Sequence, residues 1–225
     1  MIILCIETST SVCSAAICQD GAPIKQCVCK EGSNHARLLP LYIKELITYV
    51  REKELTINAV ALSEGPGSYT GLRIGASTAK GLCYGLNVPL IAVPTLEVIC
   101  EAAKECSVFS IQHSDQLLPM IDARRMEVYT MVNGETKAVI VENEESFNLQ
   151  PSAFNVYYFG DGAAKCAKVF TKPNWHFIPD IVPEAQYMGR LAEERLAISG
   201  ERIAYYEPYY LKEFIAAPSH VKGLS

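Results

Sequence analysis

A chain of 225 residues with 49% apolar content can bury a core of its own, as one large domain or two small ones. Its net charge of −5, with no conspicuous cluster of lysine and arginine, argues against strong, direct gripping of nucleic-acid phosphates. No apolar run approaches the length of a membrane span. Met1–Ile6 is too short for a signal peptide, and the nine cysteines, an odd count, suit reduced thiols, so the expected location is the cytoplasm, with no membrane contact.

From the N-terminus, Met1–Ile6 is an apolar run, and Val12–Cys18 and Pro23–Lys30 alternate around an Asp20-Gly21 turn, which predicts three antiparallel strands. Glu7-Thr8-Ser9-Thr10-Ser11 between the first two strands reads either as a polar loop facing a nucleotide or as a hydroxyl-rich strand turn. Ser33-Asn34 signals the start of a helix from His35 to Arg51 with Pro40 about one turn in, where a kink is expected. Its core stripe is Leu39, Ile43, Leu46 and Val50, with Leu38, Leu41, Tyr42 and Tyr49 to one side. His35 stands alone at the start of this helix, and a single histidine is more often a cap or a partner contact than a metal ligand, so no metal is expected there. Cys27 and Cys29 would share a strand face, without a second Cys/His pair at ligand spacing.

The strand Ala59–Leu62 leads into Gly65-Pro66-Gly67 and a helix from Gly71 to Leu86, a strand–glycine turn–helix order that presents free backbone N–H groups. Leu72, Ala76, Ala79, Cys83 and Leu86 make one stripe of this helix. Gly71, Gly75, Thr78, Leu82 and Gly85 make a second, which predicts contact on two sides with one stripe looking away from the sheet. Asn87–Val93 reads as a strand and Thr95–Lys104 as a helix. The polar stretch 105–116 is the candidate boundary between a first part, 1–104, and a smaller second part, 105–210, followed by a tail, 211–225, expected to return to the first. In the second part Gln116–Ile121, Met126–Val132, Thr136–Val141 and Val156–Phe159 read as strands, with a hairpin at Asn133-Gly134. Ala163–Phe170 and Pro183–Ala197 read as helices. Asp122 and Arg124 invite a functional reading, and the favoured alternative is a turn whose Asp and Arg satisfy backbone groups and each other.

The run GPGSYTGLRIG followed by AKGL, with LCIETST, NHARLLP, VPTLEVI, MIDARRMEVY and PYYLKE in the same order, resembles the TsaB (YeaZ) family, relatives of the glycoprotease-like subunit TsaD. The resemblance covers most of the chain. It implies an actin-like ATPase (ribonuclease H-like) α/β fold of two subdomains, the second reduced. It further implies a noncatalytic partner of a TsaD-type enzyme in threonylcarbamoylation of adenosine beside the tRNA anticodon, with a TsaE-type ATPase in the complex. The chain would form a heterodimer with TsaD, a homodimer when alone, and meet tRNA only through the complex. The expected partner surface is His35, Leu38, Leu41, Tyr42, Tyr49, Gly71, Gly75, Thr78, Leu82 and Gly85. Glu7, Thr8, Ser9, Gly65 and Gly67 would be the nucleotide-facing set, with no cofactor held tightly and ATP or ADP bound weakly or at a shared interface. The alternatives are a glycoprotease-like peptidase or a small actin-like phosphotransferase.

Overall fold

A computed structural model describes residues 1–32, 34–106, 115–149, 155–195, 197–198 and 200–212. Three strands, β1 (Ile2–Glu7), β2 (Cys13–Gln19) and β3 (Ala22–Cys29), run antiparallel. β4 (Ala59–Gly65) and β5 (Leu90–Pro94) then add parallel to β1 in the sheet order β3-β2-β1-β4-β5. Two helices of equal length, α1 (His35–Glu52) and α2 (Tyr69–Leu86), cover one face. α1 continues through Pro40, since a proline near a helix start costs few hydrogen bonds, and Asn34 fills the N-cap position without a side-chain bond. Ser33 lies outside the described residues.

The second sheet repeats the first. β6 (Gln116–Asp122), β7 (Glu127–Val132) and β8 (Glu135–Ile140) run antiparallel, and β9 (Val156–Phe159) and β10 (Trp175–Ile178) add parallel to β6, in the order β10-β9-β6-β7-β8. What differs is the helical cover. Where α1 stands in the first unit, the described residues of the second hold only a 3₁₀ turn at Glu144–Phe147, and where α2 stands they hold the single-turn α4 (Ala163–Cys166). Aromatic side chains take the place of the missing helices. Phe147, Tyr158, Phe170 and Trp175 pack on one another, with ring centroids 4.8 Å apart for Phe170 and Trp175.

The helix α3 (Thr95–Glu105) lies between the two sheets and is buried over most of its length. Val98 joins the first sheet's core, whereas Leu96, Ile99, Cys100 and Ala103 pack against Ile121, Phe159 and Ile178 of the second. The far face of the first sheet is closed by a 3₁₀ turn at Ala185–Met188 and the short α5 (Gly189–Glu193), through Ala185, Met188, Leu191 and Ala192. This replaces the single helix expected over Pro183–Ala197. The chain must hug Cys18 so closely that a side chain at Gly189 would meet its Cβ at 2.7 Å, which suits a bent segment better than a straight rod. Glu97 and Glu101 of α3 pair with Arg195 and Arg190, fastening this segment. Just ahead of the tail, Tyr209 N–H donates to the Glu64 carbonyl at 2.7 Å, whereas Lys212 pairs with Glu127 of the second sheet; residues from 213 onward lie outside the described set. Among the described residues no helix is long and apolar enough to cross a membrane.

Because Met188 is fully buried in the first sheet's core, Met188→Ala should cost about 2–5 kcal/mol and visibly lower the midpoint of thermal unfolding. An unchanged melt would place the 185–193 segment outside the cooperative core.

Candidate functional site

Ser68 caps α2, its hydroxyl accepting from Gly71 N–H at 3.3 Å, and the first turns of the helix rest against the strand turn 7–10. The approach is as close as backbone allows. A Cβ on Gly71 would stand 2.0 Å from the Thr8 carbonyl oxygen, one on Gly75 2.4 Å from Thr8 Oγ1, and one on Gly67 2.2 Å from the Ser9 carbonyl oxygen. Thr8 Oγ1 donates to the Gly71 carbonyl at 2.8 Å and Ser68 N–H to the Ser9 carbonyl at 2.6 Å, closing the junction. Glu7, Thr8 and Ser9 have no exposed surface. The Glu7 carboxylate accepts from Ser9 N–H at 2.6 Å and Ser9 Oγ at 2.5 Å through Oε1, while Oε2 has no partner. Burial raises its pKa, opposed by the Ser9 hydrogen bonds. The hydroxyls of Ser63 in β4 and Thr95 at the start of α3 bond to each other at 2.7 Å. His35, at the start of α1, is buried and donates from Nε2 to the Thr10 carbonyl at 2.7 Å, leaving Nδ1 unpartnered.

This geometry reassigns the helix faces. Gly71 and Gly75 belong to the inward stripe with Leu72, Ala76, Ala79 and Cys83, so their lack of a side chain admits the chain's own Thr8. His35 is likewise turned inward. Leu38, Tyr42 and Tyr49 are half-buried against the first sheet's core, whereas Leu41 is 59% exposed. Thr78 and Leu82 are half-buried. Gly81 and Gly85 are exposed, and an added Cβ at either would meet nothing within 4 Å. Tyr84, which belongs to neither stripe, is 92% exposed. Of the nucleotide-facing set, Glu7, Thr8, Ser9 and Gly67 come together at the α2 junction, engaged with one another. Gly65 instead lines a cleft of about 440 Å³ with Glu64, Pro94, Glu135, Thr136 and Tyr209. Burial raises the Glu64 pKa, opposed by nearby Arg195, and Glu135 is the other acidic residue of the lining.

In the second unit Asp122 forms the expected turn. Its carboxylate accepts from Arg124 N–H at 2.9 Å, and its ionic partner is Lys165. A side chain at Gly160 would meet the Met120 carbonyl oxygen at 2.2 Å, so that turn too is taken up by packing. Among the described residues no group of three or more His, Cys, Asp or Glu side chains has the geometry of a metal site. The acidic cleft was not legible, because Glu64 and Glu135 are distant in sequence and meet only when the second sheet folds over the first.

The family described as TsaD, tRNA N6-adenosine threonylcarbamoyltransferase, matches residues 30–147, just over half of the chain. A tRNA threonylcarbamoyladenosine biosynthesis protein TsaB of Haemophilus influenzae is 29% identical over 93% of both chains. The chain belongs to the TsaD-related family, in its TsaB (YeaZ) branch. The TsaB of Escherichia coli is 36% identical over 57% of this chain, a match that spans about half the length of that relative, 53%. A Pseudomonas aeruginosa crystal structure, described as an uncharacterized protein similar to peptidase YeaZ, superposes with a TM-score of 0.71 over 94% of this chain and 99% of that one, at 23% identity. The fold is accordingly the actin-like ATPase fold of this family, with the second subdomain carrying the thinner helical cover.

Two measurements follow from the junction. Gly71→Ala should destabilise by about 1–3 kcal/mol or more through overpacking on Thr8. Gly81→Ala, into open space on the same helix, should stabilise by up to about 1 kcal/mol; equal effects on denaturant unfolding would contradict the assignment of faces. For Glu7, the native state keeps a proton that the unfolded chain has already lost as pH rises between the unfolded and the raised native values, so stability falls with pH through that window. Glu7→Gln keeps an acceptor for Ser9 and removes the titration. Thermal melts from roughly pH 4 to pH 8 should therefore show wild type losing stability relative to the variant, and parallel curves would refute the buried carboxyl's role.

Proposed function

We propose that this chain is a noncatalytic subunit that docks on a TsaD-type enzyme and supports threonylcarbamoylation of adenosine beside the tRNA anticodon. The names of its TsaB relatives support this reading over a peptidase or a phosphotransferase. One structural observation carries the docking surface. Gly81 and Gly85 face open space on the outer side of α2, where glycine destabilises a helix by about 0.5–1 kcal/mol relative to alanine and nothing within the chain uses the room. A partner backbone that approaches this helix closely would use it. Leu41, Tyr84 and Leu86, all exposed, supply apolar contact on the same pair of helices, with Thr78 and Leu82 at its margin.

The surface is therefore the outer side of α1 and α2, shifted from the glycine stripe of Gly71 and Gly75 to that of Gly81 and Gly85. In the absence of the enzyme the same face would pair with a second copy. A TsaE-type ATPase would join the complex, and tRNA would be met only there, in keeping with the net charge of −5. ATP or ADP, if it binds this chain, would do so weakly or at a surface shared with the partner, since the turn at Glu7–Ser9 is engaged internally and the cleft lining includes two acidic residues, Glu64 and Glu135.

The test is co-purification of this chain with a TsaD-type enzyme. Gly85→Glu and Leu41→Glu should each weaken association at least tenfold, about 1.4 kcal/mol, by placing a charge in the contact, while the melting temperature stays within a few degrees. Undiminished binding by both folded variants would move the interface off these helices.

A further inference from the structure

We propose that Cys13 and Cys29 form a peroxide-responsive dithiol at the free edge of the first sheet, closing to a cross-strand disulfide. β3 is an edge strand, and in its antiparallel ladder with β2 residue Cys13 stands directly opposite Cys29, with Ala15 opposite Cys27 in the next pair on that face. Directly opposed residues have Cα atoms roughly 4.5–5.5 Å apart, inside the window of about 4.4–6.8 Å that a disulfide spans. Diagonal neighbours, the relation of Cys13 to Cys27, stand about 7–8 Å apart. The core agrees with this register: Cys13 and Cys27 belong to one buried cluster, against which half-buried Tyr42 of α1 packs.

The two thiols differ in a way that assigns their roles. Cys29 is half-exposed at the sheet edge, its thiol donating to the Glu31 carbonyl at 3.1 Å, so it is the sulfur that a small oxidant reaches. Cys13 is fully buried, and burial pushes its thiol up to about 11, which makes it a poor first target. Cys27 is buried and engaged with Glu45. Cys5 and Cys18, on the other face of the same sheet, have sulfurs 3.8 Å apart, but neither has exposed surface.

Hydrogen peroxide supplies the oxidising equivalents. The Cys29 thiolate attacks one peroxide oxygen, the O–O bond breaks, and hydroxide leaves and is protonated to water; sulfur gives up two electrons and becomes a sulfenic acid. The Cys13 sulfur, losing its proton, attacks the Cys29 sulfur. An S–S bond forms, the S–O bond breaks, and the departing hydroxide takes up a proton as a second water. Two thiols and one peroxide give one disulfide and two waters, and an external dithiol reverses the change by exchange.

The experiment treats the full, reduced chain with hydrogen peroxide, titrates the remaining thiols, and maps cross-links by mass spectrometry of a non-reducing digest. The expected result is the loss of two thiols per chain, a Cys13–Cys29 cross-linked peptide within one chain, and recovery on adding dithiothreitol. Cys27→Ser should leave this unchanged, Cys29→Ser should abolish it, and Cys13→Ser should leave a Cys29 sulfenic acid that dimedone traps. A bridge that maps to Cys5 and Cys18, a bridge between chains, persistence of the two-thiol loss in Cys29→Ser, or no bridge at all would each overturn the proposal. The wild-type map decides the matter even if a variant fails to fold.

Discussion

The contact between the Thr8 backbone and the first two turns of α2 sets the rest of this structure. β1 ends where the helix begins, and the two are so close that no side chain fits at Gly67, Gly71 or Gly75. That approach buries Glu7, Thr8 and Ser9, draws His35 onto Thr10, and fixes the rotation of α2 about its own axis. Once Leu72, Ala76, Ala79 and Cys83 are turned to the sheet, the opposite side of the helix, with Gly81, Tyr84 and Gly85, is what remains for anything outside the chain. A carboxyl left buried with one oxygen unpartnered is the thermodynamic cost of that closure, and it is reduced by letting Glu7 keep its proton to higher pH.

The two sheets share one strand order and differ in what covers them. A sheet face must be buried, and two 18-residue helices do this for the first unit. The second unit has a shorter chain between the same strands and uses rings instead, a Phe147–Phe170–Trp175 cluster that fills area with few residues. α3 then serves both cores at once. The paired carboxylates Glu97 and Glu101 hold Arg195 and Arg190, tying the 185–195 segment to the first unit although it follows the second in sequence.

Much of this was legible in the residues. Alternating and continuous apolar runs located nine of the ten strands among the described residues, and the Asn133-Gly134 turn, with both residues at positive φ, joins β7 to β8 as its sequence demands. β10 escaped notice because Trp175–Ile178 is only four residues long and follows a helix that the sequence made too long. The site was less legible. Two adjacent stripes of small and apolar residues on α2 both qualify as a buried face, and periodicity alone does not say which touches the sheet. The glycines did announce a close backbone approach. Which backbone approaches is a tertiary fact, and here it is the chain's own Thr8. The same limit hid the acidic cleft, whose walls come from strands about seventy residues apart.

These constraints bear on where chemistry can take place in such a fold. The actin-like architecture offers a cleft between its subdomains and a hydroxyl-rich turn after the first strand, and a nucleotide needs both to present donors or cations to its phosphates. In this chain the turn spends its donors internally: Thr8 Oγ1 on Gly71, Ser68 N–H on Ser9, Ser9 on Glu7. The cleft meanwhile presents Glu64 and Glu135. Freeing those donors would require withdrawing α2 from Thr8, and that would unmake the packing that orients the helix. The contact at Thr8 is thus also what decides which side of α2 meets the sheet and which side, with Gly81, Tyr84 and Gly85, faces outward.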